Sequence, residues 1–283
     1  MKRLIATTIM VLGLIVVGIL SPAPAWATDK YFCATADNTW SGANWKVFAA
    51  GEDCTTGTAT DPPTAADRAI IVGGKTCNVD VTTAAADSLN VESGATLNIQ
   101  ASKKLTIDDT AATGTTIGGT LNLQGARSEL AFVDNDQTID GAGKIVGQNS
   151  ASKITVVSGK ILTNESTIEG ALKITGPSSK TGTFLNHGTV HANSAGTLEI
   201  STDALGDDST AAWKITTSSN AVLRIDVFSS TRPALDGDWT IEDDGKLDVD
   251  SVGFTTTGSL VWKGGTIDVA SNSLADFGWF ADP

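Results

Sequence analysis

From Thr64 onward the chain alternates apolar and polar residues in short runs, each bounded by Gly, Asn, Asp or Ser. Alternation with period two puts every second side chain on a buried face, which predicts strands. No part of 64–283 shows the 3.6-residue period of a helix, and β-branched Thr, Val and Ile are abundant. The runs recur. Gly74 is followed by Cys77 and Val79, Gly94 by Leu97 and Ile99, and Asn220 by Leu223 and Ile225. Each is a turn residue with apolar side chains three and five positions on. Variants begin at Gly119, Gly143, Gly170, Gly196, Gly245 and Gly265, so successive markers lie 20, 25, 24, 27, 26, 24, 25 and 20 residues apart. Asn220 fills a glycine slot because Asn, after Gly, best tolerates a left-handed backbone.

A repeat near 25 residues holds two or three short strands, which is one coil of a parallel β-helix. One coil cannot bury its inner face alone, whereas stacked coils make a continuous core. The predicted fold class is therefore all-β: a β-solenoid over 64–283, right-handed as parallel crossovers are. Eight steps at ~4.8 Å give a rod on the order of 40 Å long. The rival, β-sandwiches built from hairpins, favours Asn-Gly and Asp-Gly turns. Asn-Gly is absent, and Asp-Gly occurs only at Asp140, Asp236 and Asp244. Trp213, Trp239 and Trp262 are spaced by one coil each and share parity with neighbouring aliphatics. That parity predicts an inward column of three rings rather than an external ladder for polysaccharide.

The first 63 residues differ. Lys2 and Arg3, the apolar run Leu4–Leu20 and the Ala25-Trp26-Ala27 site read as a secretory signal over 1–27. The expected location is secreted, extracellular or on the bacterial cell surface. Of the three cysteines, Cys33 and Cys54 bracket a loop-like stretch and are the favoured disulfide, with Cys77 a buried thiol in a strand pattern. Cys54–Cys77 is the alternative pairing. Residues 28–63 thus read as a small disulfide-tied cap. Trp40 and Trp45 are expected to form a lid over the first sheet edge, or else a platform for sugar stacking. Trp279, with Phe277 and Phe280, is expected to cover the last coil or to dock a partner.

Charge narrows the partners. Lys and Arg total 19 against 32 Asp and Glu, a net −13 that becomes 17 − 32 = −15 once Lys2 and Arg3 are removed. With no basic cluster, nucleic acid and anionic lipid are poor partners. No second apolar run approaches the ~20 residues of a spanning helix, so no membrane insertion is expected after signal cleavage. Hydrophobic residues at 41% are too many for a disordered chain.

Candidate chemistry is sparse. Asp108-Asp109, Asp207-Asp208 and Asp243-Asp244 are the carboxylate pairs that glycoside hydrolysis would use, but each sits in a turn-like context. His187 and His191 share an outward parity, and two ligands make a poor metal site. The run Asp134–Gly141 resembles a calcium loop without its closing Glu. No catalytic residue, metal ligand set or cofactor is therefore expected, with calcium in acidic turns the one cofactor left open.

The order Trp40-Ser41, Asn44-Trp45, then Pro63-Thr64-Ala65-Ala66-Asp67, then the run Ser88–Ile99, resembles secreted bacterial β-helix proteins. These are the passenger regions of autotransporter and haemagglutinin-like adhesins. The resemblance implies stacked coils and says little about activity; a non-catalytic structural or adhesive role at the cell surface or matrix is expected because a repeat-built body carries no convergent polar constellation. Expected partners are cell-surface glycans or other surface proteins, and the edge of the last coil with Phe277, Trp279 and Phe280 offers self-association by end-to-end stacking. An autotransporter ends in a membrane barrel and this sequence stops at Pro283, so attachment is expected to be borrowed from another protein. The alternative is a pectin-lyase-like polysaccharide lyase or hydrolase, or a carbohydrate-binding module. Against it, Asn186-His187-Gly188 only mimics one motif of polygalacturonases, and Leu223-Arg224-Ile225 only brushes another.

Overall fold

The computed structural model describes residues 27–34, 38–109, 114–178, 181–216, 220–227, 234–242, 244–251, 255–256, 258–269 and 276–277. The predicted signal (but for Ala27), Asp243 and Trp279 lie outside them. The described chain is a parallel β-solenoid of about 8 turns, without a helix. Each coil contributes strands to three faces. The first face stacks Thr28–Phe32, Asp67–Ile71, Ser88–Val91, Thr115–Ile117, Gln137–Asp140, Ile161–Asn164, Thr183–Asn186 and Ala204–Asp207. The second begins with Thr76–Val79, Thr96–Ile99 and Thr120–Leu123 and ends with Ala212–Ile215, Asp238–Ile241 and Leu260–Trp262. The third runs from Thr83–Ala86, Lys104–Ile107 and Glu129–Phe132 to Ala221–Val227, Lys246–Ser251 and Thr266–Val269.

The alternating pattern explains the core. Cys77, Leu97, Leu121, Ile145, Ile168, Val190 and Trp213 pair in register up the second face, and all are fully buried. On the third face Leu105, Leu130, Ile154, Ile174, Ile200, Ile225 and Val249 do the same. Burial of each such side chain contributes about 1.5–3 kcal/mol, and only the stack provides it. Buried polar groups pair along the axis too: Asn164 Nδ2 donates to Asn186 Oδ1 at 2.8 Å, and Ser128 Oγ to Ser152 Oγ at 2.9 Å.

The sequence markers belong to two faces rather than one. Gly74, Gly94, Gly119 and Gly143 open strands of the second face, whereas Gly196, Asn220, Gly245 and Gly265 open strands of the third, and Gly170 lies inside Thr167–Thr175 opposite Gly147. The switch falls where two long strands, Lys144–Thr155 and Thr167–Thr175, run unbroken round the corner between faces. Asn220 has φ +64°, the left-handed conformation its slot requires.

The tryptophan column is two rings, not three. Trp213 and Trp239 stack in the core with centroids 5.2 Å apart and an 11° interplanar angle. Trp239 pairs next with Leu260, and Trp262 falls opposite Ile241, two positions further along. Trp262 is 52% exposed.

At the amino-terminal end the edges of the first and second faces are covered. Thr28–Phe32 pairs parallel with Asp67–Ile71, so the stack already begins at Thr28 and not at residue 64. Its other edge pairs antiparallel with Trp45–Val47, which pairs antiparallel with Thr58–Thr60. Between these, Thr39 bridges Asn78 on the second face. Cys33 and Cys54 form the expected disulfide, and Cys77 is a buried thiol. The bridge spans 21 residues of otherwise loop-rich chain. Replacing Cys33 and Cys54 by Ser is expected to cost about 3 kcal/mol, read as a lower denaturant midpoint. Hydrogen exchange should then rise first over 45–60.

Candidate functional site

Because coils stack in register, outward side chains of successive strands form straight rows. On the second face Thr96, Thr120, Lys144, Thr167 and Thr189 occupy one register position. Two residues on, the row reads Asn78, Asn98, Asn122, Val146, Glu169, His191 and Lys214. Asn98 Nδ2 donates to Asn78 Oδ1 and Asn122 Nδ2 to Asn98 Oδ1, each at 2.8 Å. The corner between the first and second faces is concave. It forms a groove of about 510 Å³ walled by Thr96, Thr120, Lys144, Thr167 and Glu169 and floored by Gly and Ala turns.

At one end of this groove the polar side chains interlock. Lys144 Nζ lies 2.7 Å from Glu169 Oε1, and Asn193 Nδ2 donates to Glu169 Oε2 at 3.3 Å. His191 Nε2 sits 3.2 Å from Thr216 Oγ1. Burial, aided by the lysines Lys214 and Lys144, outweighs the pull of Glu169 and holds the imidazole below its ordinary 6.5. At neutral pH it is therefore an uncharged hydrogen-bonding group. His187 has a different setting, in the turn leaving the first face with Nδ1 3.8 Å from Asp208 Oδ2. The two histidines do not share a partner.

The third face carries charge rows. Glu129 lies between Lys104 and Lys153 at 3.5 and 3.2 Å, Lys173 pairs Glu199 at 2.8 Å, Arg224 meets Asp250, and Lys246 meets Asp268 at 2.9 Å. Burial pushes the Glu129 carboxyl up, but the Thr155 hydroxyl and both ammonium groups outweigh it and hold it below its ordinary 4.5. A carboxyl depressed in the fold contributes stability above 4.5 that is lost as the pH falls through the lower, folded value. Glu129→Gln should therefore flatten the acid limb of a stability-against-pH curve below pH 4.5 and leave its shape above pH 6 unchanged.

The remaining predicted site residues fall as follows. Trp40 and Trp45 are 2% and 0% exposed, packed edge-to-face 4.8 Å apart, with Trp45 Nε1 donating to the Trp40 carbonyl at 2.8 Å. They form the lid, and neither offers the open ring face that stacking on a sugar requires. Among the described carboxylates, Asp109 Oδ2 accepts from the Gly114 N–H and Asp208 Oδ1 from Thr210, so both serve turns. Asp207 accepts from Trp213 Nε1 at 2.6 Å and from the Asp236 and Gly237 amides, tying the next coil down. Asp136 Oδ1 caps the Ile161 amide at 2.9 Å in the calcium-loop-like stretch. Among the described residues no three His, Cys, Asp or Glu side chains are grouped to hold a metal.

The groove was missed from sequence because it belongs to no single segment. Its signal was the Thr-Leu-Asn repeat at 96–98 and 120–122, one coil apart. No protein-family model, curated protein or solved structure matches the chain.

Proposed function

We propose that this protein is an extracellular structural rod with adhesive outer faces, working at a bacterial cell surface or in its matrix without catalysis. The observation that carries this reading is the third-face charge row. Its acids and bases are spent on one another along the axis, from Glu129 with Lys104 and Lys153 to Asp268 with Lys246. Singly such exposed pairs contribute little, but a row of them holds coil to coil. An enzyme would instead direct unspent groups at one point. The Cys33–Cys54 disulfide supports an oxidising compartment, and no helix among the described residues is long and apolar enough to cross a membrane. End-to-end association uses the carboxy-terminal coil, since antiparallel strands cover the first-face edge at the other end.

The test has two arms. Purified protein incubated with pectin, alginate and glycosaminoglycans, with and without calcium, is expected to release no new ends. Intact cells treated with protease are expected to lose the protein while cytoplasmic proteins survive. Turnover of any polymer overturns the structural role, and protection from protease overturns the location.

A further inference from the structure

We propose that the groove at the corner of the first and second faces binds a neutral polysaccharide chain laid along the rod axis. The choice of a polysaccharide rests on the exterior location proposed above. The groove itself supplies the rest.

Its shape is that of a chain site. Thr96, Thr120, Lys144 and Thr167 stand on four successive coils at one register position. Three steps at ~4.8 Å make the row about 14 Å long, more than one sugar ring fills. The floor follows from coil packing: a Cβ at Gly143 would sit 2.1 Å from the Gly119 carbonyl oxygen, so its glycines carry no weight as a ligand signal.

Its chemistry selects hydroxyl groups. Thr96, Thr120 and Thr167 are partly exposed, and their side-chain hydroxyls make no hydrogen bond within the described structure. Each offers one donor and two acceptor positions, repeated at the coil spacing. A ligand that itself repeats hydroxyls at regular intervals complements such a row. The Lys144–Glu169 pair adds a strong donor and a strong acceptor side by side at the end of it. A folded protein partner is a poorer match, because stable protein interfaces centre on buried aromatic or aliphatic anchors and this lining has none.

Its charge selects against acidic chains. Lys144 is neutralised by Glu169, and the neighbouring His191 is held uncharged by burial, so the lining presents balanced charge. The whole chain is −13, a field that opposes the approach of a polyanion.

The test is calorimetric or NMR titration of the purified protein with cellohexaose, mannohexaose and chitohexaose, against hexagalacturonate and the corresponding monosaccharides. At least one neutral hexasaccharide should bind, more tightly than its monosaccharide and than hexagalacturonate. The double variant Thr120→Val, Thr167→Val keeps the β-branched shape and strand preference while deleting two hydroxyls. It should weaken binding about tenfold without moving the unfolding midpoint. Thr106→Val, on the third face, should change nothing. Absence of binding by all three neutral chains overturns the proposal. So does equal or tighter binding of the acidic chain or of a monosaccharide, and so does wild-type affinity in the double variant. The assay does not depend on where cells place the protein, so its failure leaves the protease test of location standing.

Discussion

Trp213→Ala is expected to destabilise the protein by about 4 kcal/mol and to free the carboxy-terminal coils while the amino-terminal ones stay folded. Two losses coincide at this position. The ring is fully buried against Trp239, so truncation leaves a large cavity in the core. Its Nε1 also donates to Asp207 at 2.6 Å, and Asp207 in turn accepts the amides of Asp236 and Gly237 in the next coil. Burial already pushes the Asp207 carboxyl above its ordinary value, and losing a donor makes its charged form costlier still. A solenoid's stability is a sum over neighbouring coils, so weakening one interface uncouples what lies beyond it. Hydrogen exchange should show fast amides from Trp213 to Ile241 and slow ones at Leu97–Ile99. Trp213→Phe, which keeps most of the volume but loses the donor, should fall between the variant and the wild type. Uniform loss of protection along the whole rod would show that the coils do not act as neighbours.

A single methyl group is expected to have a comparable effect at Gly143. A Cβ there would lie 2.1 Å from the Gly119 oxygen and 2.6 Å from the Ile117 oxygen. Both are backbone atoms of the coil beneath, which cannot rotate away as a side chain would. Gly143→Ala must therefore push two coils apart, and the expected cost is about 3 kcal/mol. Gly159→Ala is the control. Gly159 has φ +73° but nothing within 4 Å of its would-be Cβ, so only backbone strain opposes the change, at about 1 kcal/mol. Thermal unfolding of the pair should rank Gly143→Ala well below Gly159→Ala. The reverse order would mean that conformational freedom, not close approach, selects glycine at Gly143.

Much of the architecture was legible because coil length and alternation are local properties. Cys77, Leu97 and Leu121 sit on the buried face that their parity assigns, and Cys33 and Cys54 pair as their loop-like surroundings suggested. What sequence could not resolve is which face a run occupies, because all three faces use the same alternation. Gly143 and Gly196 look alike along the chain, yet they open strands of different faces. Trp262 failed for a different reason: its face and coil are as expected, but it stands two residues along the strand from the column, opposite Ile241. Thr28–Phe32 was hidden in a segment whose Gly, Asn and Trp content reads as loop, although it is the first rung of the stack. The groove was least visible of all, since Thr96, Thr120, Lys144 and Thr167 become neighbours only once the register is known.

That register is the claim on which the site and its proposed ligand depend. Nitroxide labels placed at Lys104 and, in turn, at Glu199, Arg224 and Asp248 measure it directly. These residues follow one another in one outward row of the third face, joined through Glu129, Lys153 and Lys173. Cys33 and Cys54 are bonded and Cys77 is buried, so added cysteines are labelled selectively. Pulsed electron–electron resonance should return distances of about 19, 24 and 29 Å, rising by one strand spacing per coil. Distances that fail to climb in equal steps, as antiparallel hairpins would give, would contradict the stacked solenoid and the groove with it.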